Sequence, residues 1–257
     1  MPIRRVDNFI DAYREHAAAA DLHALSGRGA QRQLTAYVNR QICDRMRFGP
    51  HDVVVDVGCG DGSLLASIAG AIRQGIGIAP TNEEVERLRQ AHSSHRNLRF
   101  ETGLAESLPL TDGTATKTVC NGVLMLLRDR PAVRQALGEL KRISARGAQV
   151  FIGEVPDRDE AATAREAYGD SLLRWLLFSF REGGVIAGLR VAKTIAGGVL
   201  SHEPLVVQPK HCTFLRPDEM SGLLAELPWT LLWRGPYQPP ITGATGASRW
   251  HYLLELP

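Results

Sequence analysis

Apolar positions run in blocks whose period changes along the chain, and the changes mark out the elements. Val53 to Val57 is a β-branched run interrupted only by Asp56, and it reads as a buried strand. Shorter apolar stretches at Gly75–Ile78, Leu98–Glu101, Thr118–Asn121 and Gln149–Ile152 read the same way. Between them the spacing is helical, from Leu64 to about Gln74, from Glu83 to His92 and from Pro131 to Ile143. Strands alternating with helices make βαβ units and a parallel sheet. Ahead of this core, residues 7–47 read as two helices. The first carries Phe9, Ile10 and Tyr13 on one face, and the second runs from about Gln31 to Met46 with Leu34, Val38 and Ile42 spaced together.

The alternation stops after residue 156. Two strongly apolar helical segments follow, one around 172–180 and one running to Leu200, parted by Gly183-Gly184. A helix from Arg216 to about Leu227 restores the pattern, and the strands Thr230–Trp233 and His251–Leu254 close it. The expected organisation is an N-terminal helical cap (1–48), a core (49–156), a helical insertion (157–209) and a C-terminal stretch that completes the sheet (210–257).

At 257 residues and 44% hydrophobic, the chain has enough apolar material for one large core. A net charge of +2 points away from a nucleic-acid partner. The most apolar stretch, Gly183 to Leu200, is interrupted by Arg190 and Lys193, so no transmembrane segment is expected. The opening residues lack the apolar core of a signal peptide, which favours a cytoplasmic protein. Four widely spaced cysteines, Cys43, Cys59, Cys120 and Cys212, form no metal-ligand pair and read as reduced thiols. The histidines also lack carboxylates at ligand spacing, so no metal is expected.

The candidate chemistry sits where the first strand ends. In Asp56-Val57-Gly58-Cys59-Gly60-Asp61-Gly62, glycine at every second position lets the chain turn sharply and a ligand approach the backbone. The helix that follows directs its free N–H groups back at the loop. A dinucleotide fingerprint places its third glycine one residue later. The block resembles motif I of the class I S-adenosylmethionine-dependent methyltransferases. Asn97-Leu98-Arg99-Phe100, Gly103 to Leu110 and Asp112-Gly113 are similar to the strand-three segment of members that include the quinone-biosynthesis enzymes. Asn121-Gly122-Val123-Leu124 resembles their strand-four segment.

The resemblance covers roughly residues 50–155 and implies an α/β, Rossmann-like, seven-stranded sheet of five parallel strands and a C-terminal antiparallel pair. It implies S-adenosylmethionine as cofactor, lying over the ends of strands one, two and four. Asp56, Gly58, Cys59 and Gly60 would surround its methionine portion, and Gly77, Ile78 and Asn82 would lie at the ribose. Ala105 and Glu106 would bracket the adenine. Asn121 and Gly122 would lie beside the cofactor and open toward a small-molecule acceptor, and Tyr13 would close over it. Three positions depart from the family pattern. Gly77 stands where an acid ordinarily accepts both ribose hydroxyls, Leu104 where an acid follows the strand-three glycine, and Thr116 where one precedes strand four. A shifted ribose contact from Thr81, Asn82 or Glu83, or from backbone and water, is the expected substitute, and the alternative is weak cofactor binding or a modified cofactor.

The insertion is the expected source of acceptor specificity, with Trp175, Phe178 and Tyr168 as substrate contacts and a hydrophobic metabolite as substrate. The same apolar stretch, 171–200, also suits a membrane surface or a second copy of the chain. An acceptor that carries a proton needs a base. His211 is the first candidate, ahead of His202, Glu154 and Tyr168. Two rival readings stand beside methyl transfer: non-methylating chemistry such as cyclisation, and a non-catalytic partner subunit with weakened cofactor binding.

Overall fold

A computed structural model describes residues 3–6, 10, 21–26, 32–159, 172–201, 206–209, 213–237 and 249–257. Seven of its strands form one sheet. They are β2 (Val53–Val57), β3 (Gln74–Ala79), β4 (Leu98–Thr102), β5 (Ala115–Asn121), β6 (Ser144–Pro156), β8 (Thr230–Tyr237) and β9 (Arg249–Glu255). The order across the sheet is β4-β3-β2-β5-β6-β9-β8. β2 to β6 pair in parallel, and β9 and β8 are antiparallel. This is the expected architecture, and its central strands are apolar because parallel strands are covered on both faces.

Alternating residues of β2 serve the two faces. Val55 and Val57 join Ile76, Ile78, Leu137, Leu140, Met220 and Leu223 in one cluster. That face is covered by α4 (Arg130–Ile143) and α6 (Pro217–Ala225). Val54 joins Leu65, Leu88 and Phe100 on the other face, beneath α2 (Ser63–Ile68) and α3 (Asn82–Ala91). Beside them, α1 (Arg32–Met46) packs Val38, Ile42 and Met46 onto Val119, Phe151 and Leu253. Burying each such side chain contributes about 1.5–3 kcal/mol, so the sheet is fixed from both sides. Local chemistry sets the helix starts. Thr81 accepts from the Glu84 amide at α3, and Asp129 accepts from the Ala132 amide at α4. Lys117 donates to the Met46 and Arg47 carbonyls, a cation at the C-terminal end of α1.

Two elements differ from the sequence reading. The helix after β2 is shorter than expected, because α2 ends at Ile68 and a 3₁₀ turn at Ala69–Ala71 follows. At the N-terminus, Ile3–Val6 forms a strand, β1, that pairs in parallel with β7 (Val206–Pro209). Neither was expected, because a two-stranded pairing across some two hundred residues leaves no local periodicity. Of the first expected helix, residues 7–9 and 11–20 lie outside the described residues, and a 3₁₀ turn occupies Leu22–Ser26. The insertion carries α5 (Leu172–Ser201), whose helical backbone is broken at Gly184 (φ 71°, ψ −174°), where the Gly183-Gly184 pair placed a boundary.

Candidate active site

Parallel strands present their C-terminal ends along one edge, where helix N-termini and loops converge. The loop after β2 lies at that edge. Its first two amides, of Gly58 and Cys59, donate to the Ile78 carbonyl at 2.9 and 3.1 Å, which ties the turn to β3. Gly58 has φ 72°, and a Cβ there would stand 2.4 Å from Val123 Cγ2. The loop is thus pressed against the segment that follows β5. Asp61 is held at three points. His23 Nδ1 lies 2.7 Å from Oδ2, the Ser63 amide donates to Oδ1 at 3.1 Å, and His92 Nε2 donates to the backbone carbonyl at 2.8 Å. His23 brings the 3₁₀ turn with it, so that Ser26 Cα comes within 3.1 Å of where a Gly60 Cβ would be.

Asp56 is buried beneath this loop. Burial, reinforced by the nearby Asp56 carboxylate, pushes the Cys59 thiol well up and the Cys120 thiol to about 12. Both cysteines therefore stay protonated and act as small apolar fillers rather than nucleophiles.

The missing strand-two acid has a structural explanation. A Cβ at Gly77 would meet Phe100 Cδ1 at 2.6 Å and Cys59 Sγ at 2.9 Å, so the space an acid would enter holds a ring and a thiol. Polar groups lie one turn further on. Thr102 Oγ1 donates to Asn82 Oδ1 at 2.6 Å at an exposed position, and Thr81 Oγ1 donates to the buried Glu84 at 3.0 Å. Burial lifts the Glu84 carboxyl from 4.5 to about 7, against the Thr81 hydrogen bond and with help from Glu83. The folded state therefore prefers the protonated form. Its contribution to stability is complete below about pH 4.5 and is lost as the pH rises through 7. Urea titrations at pH 4.5 and 7.5 are expected to show Glu84→Gln removing roughly 2 kcal/mol of that pH dependence. An unchanged difference between the two pH values would contradict the burial argument.

The segment after β4 is clamped from α4. Glu139 accepts the Leu108 amide at 2.7 Å, and Arg142 donates to the carbonyls of Leu108 (3.0 Å) and Leu110 (2.6 Å) and to Asp112 (2.8 Å). The Arg142 guanidinium in turn holds Glu139 below the usual carboxylate range. Ala105 is buried in this turn, and Glu106 carries a buried Oε2 with no hydrogen-bond partner among the described residues. Asn121, at the end of β5, has a buried Oδ1 in the same condition. The Gly122 amide beside it donates to the Gly153 carbonyl at 2.9 Å.

Asp56, Gly58, Cys59, Gly60, Gly77, Ile78, Ala105, Glu106, Asn121 and Gly122 therefore share one edge of the sheet, with Asn82 at the start of α3. Tyr13, Tyr168, His202 and His211 lie outside the described residues. Trp175 and Phe178 lie on α5, with side chains outside the description. Sequence reasoning passed over Arg249 and His251. Arg249 Nη1 contacts Glu154 Oε2 at 3.0 Å, and His251 is buried against Phe151 with ring centroids 5.3 Å apart. Both open the last strand, and its antiparallel course brings that strand's start to the ligand edge, which was the available signal.

Residues 54–147 match the model of a methyltransferase domain. An O-methyltransferase of Pyrenophora dematioidea is 27% identical over 144 residues, 52% of this chain and 53% of that protein. The chain spans about half, or less, of the length of the curated relatives it matches. Two solved structures share the fold nearly end to end. The N-methyltransferase NodS of Bradyrhizobium japonicum, in complex with S-adenosyl-L-homocysteine, has a TM-score of 0.61 at 15% identity, covering 98% of this chain and 100% of its own. The [4+2]-cyclase SpnF has a TM-score of 0.63 at 13% identity, covering 99% and 98%. Strand order and loop geometry agree with that match: residues 54–147 carry a methyltransferase domain, set in a seven-stranded sheet of the fold these structures share.

Proposed function

We propose that the chain transfers a methyl group from S-adenosylmethionine to a small, hydrophobic metabolite. The observation that carries this reading is the glycine turn Asp56–Gly62 at the C-terminal end of β2, with Gly58, Gly60 and Gly62 at positive φ and its first amides tied to the Ile78 carbonyl, inside the matched methyltransferase domain. The cofactor supplies an electrophilic methyl carbon on a sulfonium.

The chain's own residues position and enclose. Gly58 and Gly60 offer bare backbone to the methionine portion, and Asp56 lies beneath them. Asn82, with Thr102, would take the ribose hydroxyls in place of an acid at 77. Ala105 and Glu106, on the turn held by Glu139 and Arg142, would flank the adenine. Much of the rate enhancement then comes from alignment, since an in-line displacement needs the acceptor at the methyl carbon and water kept out. The apolar residues of α5 support a hydrophobic acceptor. Leu173, Leu177, Val185, Ile186 and Leu189 are exposed, and Phe180 lies over Gly188. Among the described residues no helix is long and apolar enough to cross a membrane, so α5 serves as a cap or a surface contact.

Calorimetric titration with S-adenosylhomocysteine tests the reading and is expected to show saturable, one-site binding. No detectable binding at millimolar ligand would overturn it in favour of a partner subunit. The end-to-end likeness to a cyclase supports one second reading, non-methylating chemistry on the same site. Release of one S-adenosylhomocysteine per turnover separates methyl transfer from that alternative.

A further inference from the structure

We propose that residues 185–201, the second half of α5, dock the chain on an anionic phospholipid surface and lie in the plane of the headgroups. This goes beyond the methyl-transfer reading and does not depend on it.

The segment is a helix of its own. Gly184, at φ 71° and ψ −174°, breaks α5, and the helix resumes at Val185. With 3.6 residues per turn, the side chains beyond the break divide between two sides. Gly188 is buried and Val191 and Ile195 are half-buried, all on one side. The Phe180 ring, from ahead of the break, covers Gly188 there. The other side carries Val185, Ile186 and Leu189, which are 67%, 69% and 58% exposed. Arg190 and Lys193 are exposed on that same side. A surface helix ordinarily turns its apolar stripe toward the core and its charges outward. This one turns large aliphatic side chains outward together with its cations. An outward apolar patch rimmed by charge marks an interaction surface.

Charge decides the occupant. Residues 185–201 include Arg190 and Lys193 but no Asp or Glu. A second copy of the chain, set against this face by a two-fold axis, would bring like charges together with no acid on either segment to pair them. Anionic headgroups pair with those cations directly. The long stems of Arg190 and Lys193 let their charges reach the phosphates while the aliphatic side chains enter the acyl boundary. Crossing is a different matter. At about 1.5 Å per residue the segment spans about 25 Å, short of a hydrocarbon core of about 30 Å. Among the described residues no helix is long and apolar enough to cross a membrane. A short basic helix with an outward apolar face therefore lies on a bilayer rather than through it.

The test floats the full chain with extruded vesicles, either of phosphatidylcholine alone or of phosphatidylcholine and phosphatidylglycerol at about 7:3. Partition onto the anionic vesicles is expected to be at least about tenfold stronger than onto the neutral ones. Raising the salt from about 0.1 to 0.5 M should weaken it severalfold, because screening shortens the reach of the surface charge. Ile186→Ser/Leu189→Ser should lower partition at least about tenfold, since it removes the side chains that enter the boundary. Both positions are exposed, so the melting temperature should stay within about 2 °C of the wild type. Lys193→Glu, a second exposed position, should cost about fivefold on the anionic vesicles and nothing on the neutral ones. That single variant keeps the test decisive if the double variant does not fold. Absence of the wild type from both vesicles, equal partition onto the two compositions, or undiminished partition in either variant would each overturn the proposal. Sedimentation equilibrium without lipid closes the test. A dimer that Ile186→Ser/Leu189→Ser dissociates would assign this face to a second copy of the chain and overturn the membrane assignment.

Discussion

Gly77→Asp, which restores the acid that related enzymes carry, is expected to destabilise the chain by about 3 kcal/mol or more and not to tighten cofactor binding. The new Cβ would lie 2.6 Å from Phe100 Cδ1 and 2.9 Å from Cys59 Sγ, far inside contact distance. Both neighbours are buried, and neither is the free end of a flexible side chain. Overpacking of this kind ordinarily costs about 1–3 kcal/mol. A carboxylate among Phe100, Leu65 and Leu88 adds a desolvation penalty of at least similar size. For a chain of this length the melting temperature should fall by roughly 6–12 °C. Differential scanning calorimetry measures the loss, and titration with S-adenosylhomocysteine measures affinity. The double variant Gly77→Asp/Phe100→Ala opens the space and should bind S-adenosylhomocysteine more tightly than Phe100→Ala alone. An undisturbed melting temperature and a tenfold gain in affinity for Gly77→Asp alone would show that the Phe100 ring does not own the ribose end.

How far the sequence foretold the site depends on whether each feature is local. Val53–Val57 and the glycines after it were legible, because an apolar run and a turn that needs positive φ leave their marks within ten residues. The parallel order followed from alternation, and Gly77 stood out at once as a departure. What occupies the space beside Gly77 was not legible, since it depends on the β3–β4 register that sets Phe100 against it. The β6–β9 bulge at Glu154 (φ 53°), His251 and the His23–Asp61 contact are likewise products of pairing between distant segments. Glu154 stood among the candidate bases, but nothing in Gly153-Glu154-Val155 announces a left-handed glutamate. The β1–β7 pairing lies furthest from sequence reach. Four-residue strands near opposite ends of the chain carry too little pattern to find each other on paper.

Gly58→Ala is expected to weaken S-adenosylhomocysteine binding more than tenfold and to destabilise the fold by two separable routes. The first is conformational. At φ 72° an alanine incurs about 1–2 kcal/mol from its own Cβ and carbonyl. The second is steric, because that Cβ would stand 2.4 Å from Val123 Cγ2 and push the loop away from the turn after β5. Separation of those two segments displaces the glycine turn proposed to hold the cofactor's methionine portion, and each tenfold in affinity corresponds to about 1.4 kcal/mol. Val123→Ala removes the colliding methyl and leaves the backbone strain untouched. In a double-mutant cycle the combined variant should therefore recover only the steric share, with a coupling of about 1 kcal/mol in the favourable direction. Full recovery would mean that the positive φ relaxes freely. No recovery would mean that Val123 is not what presses on the loop.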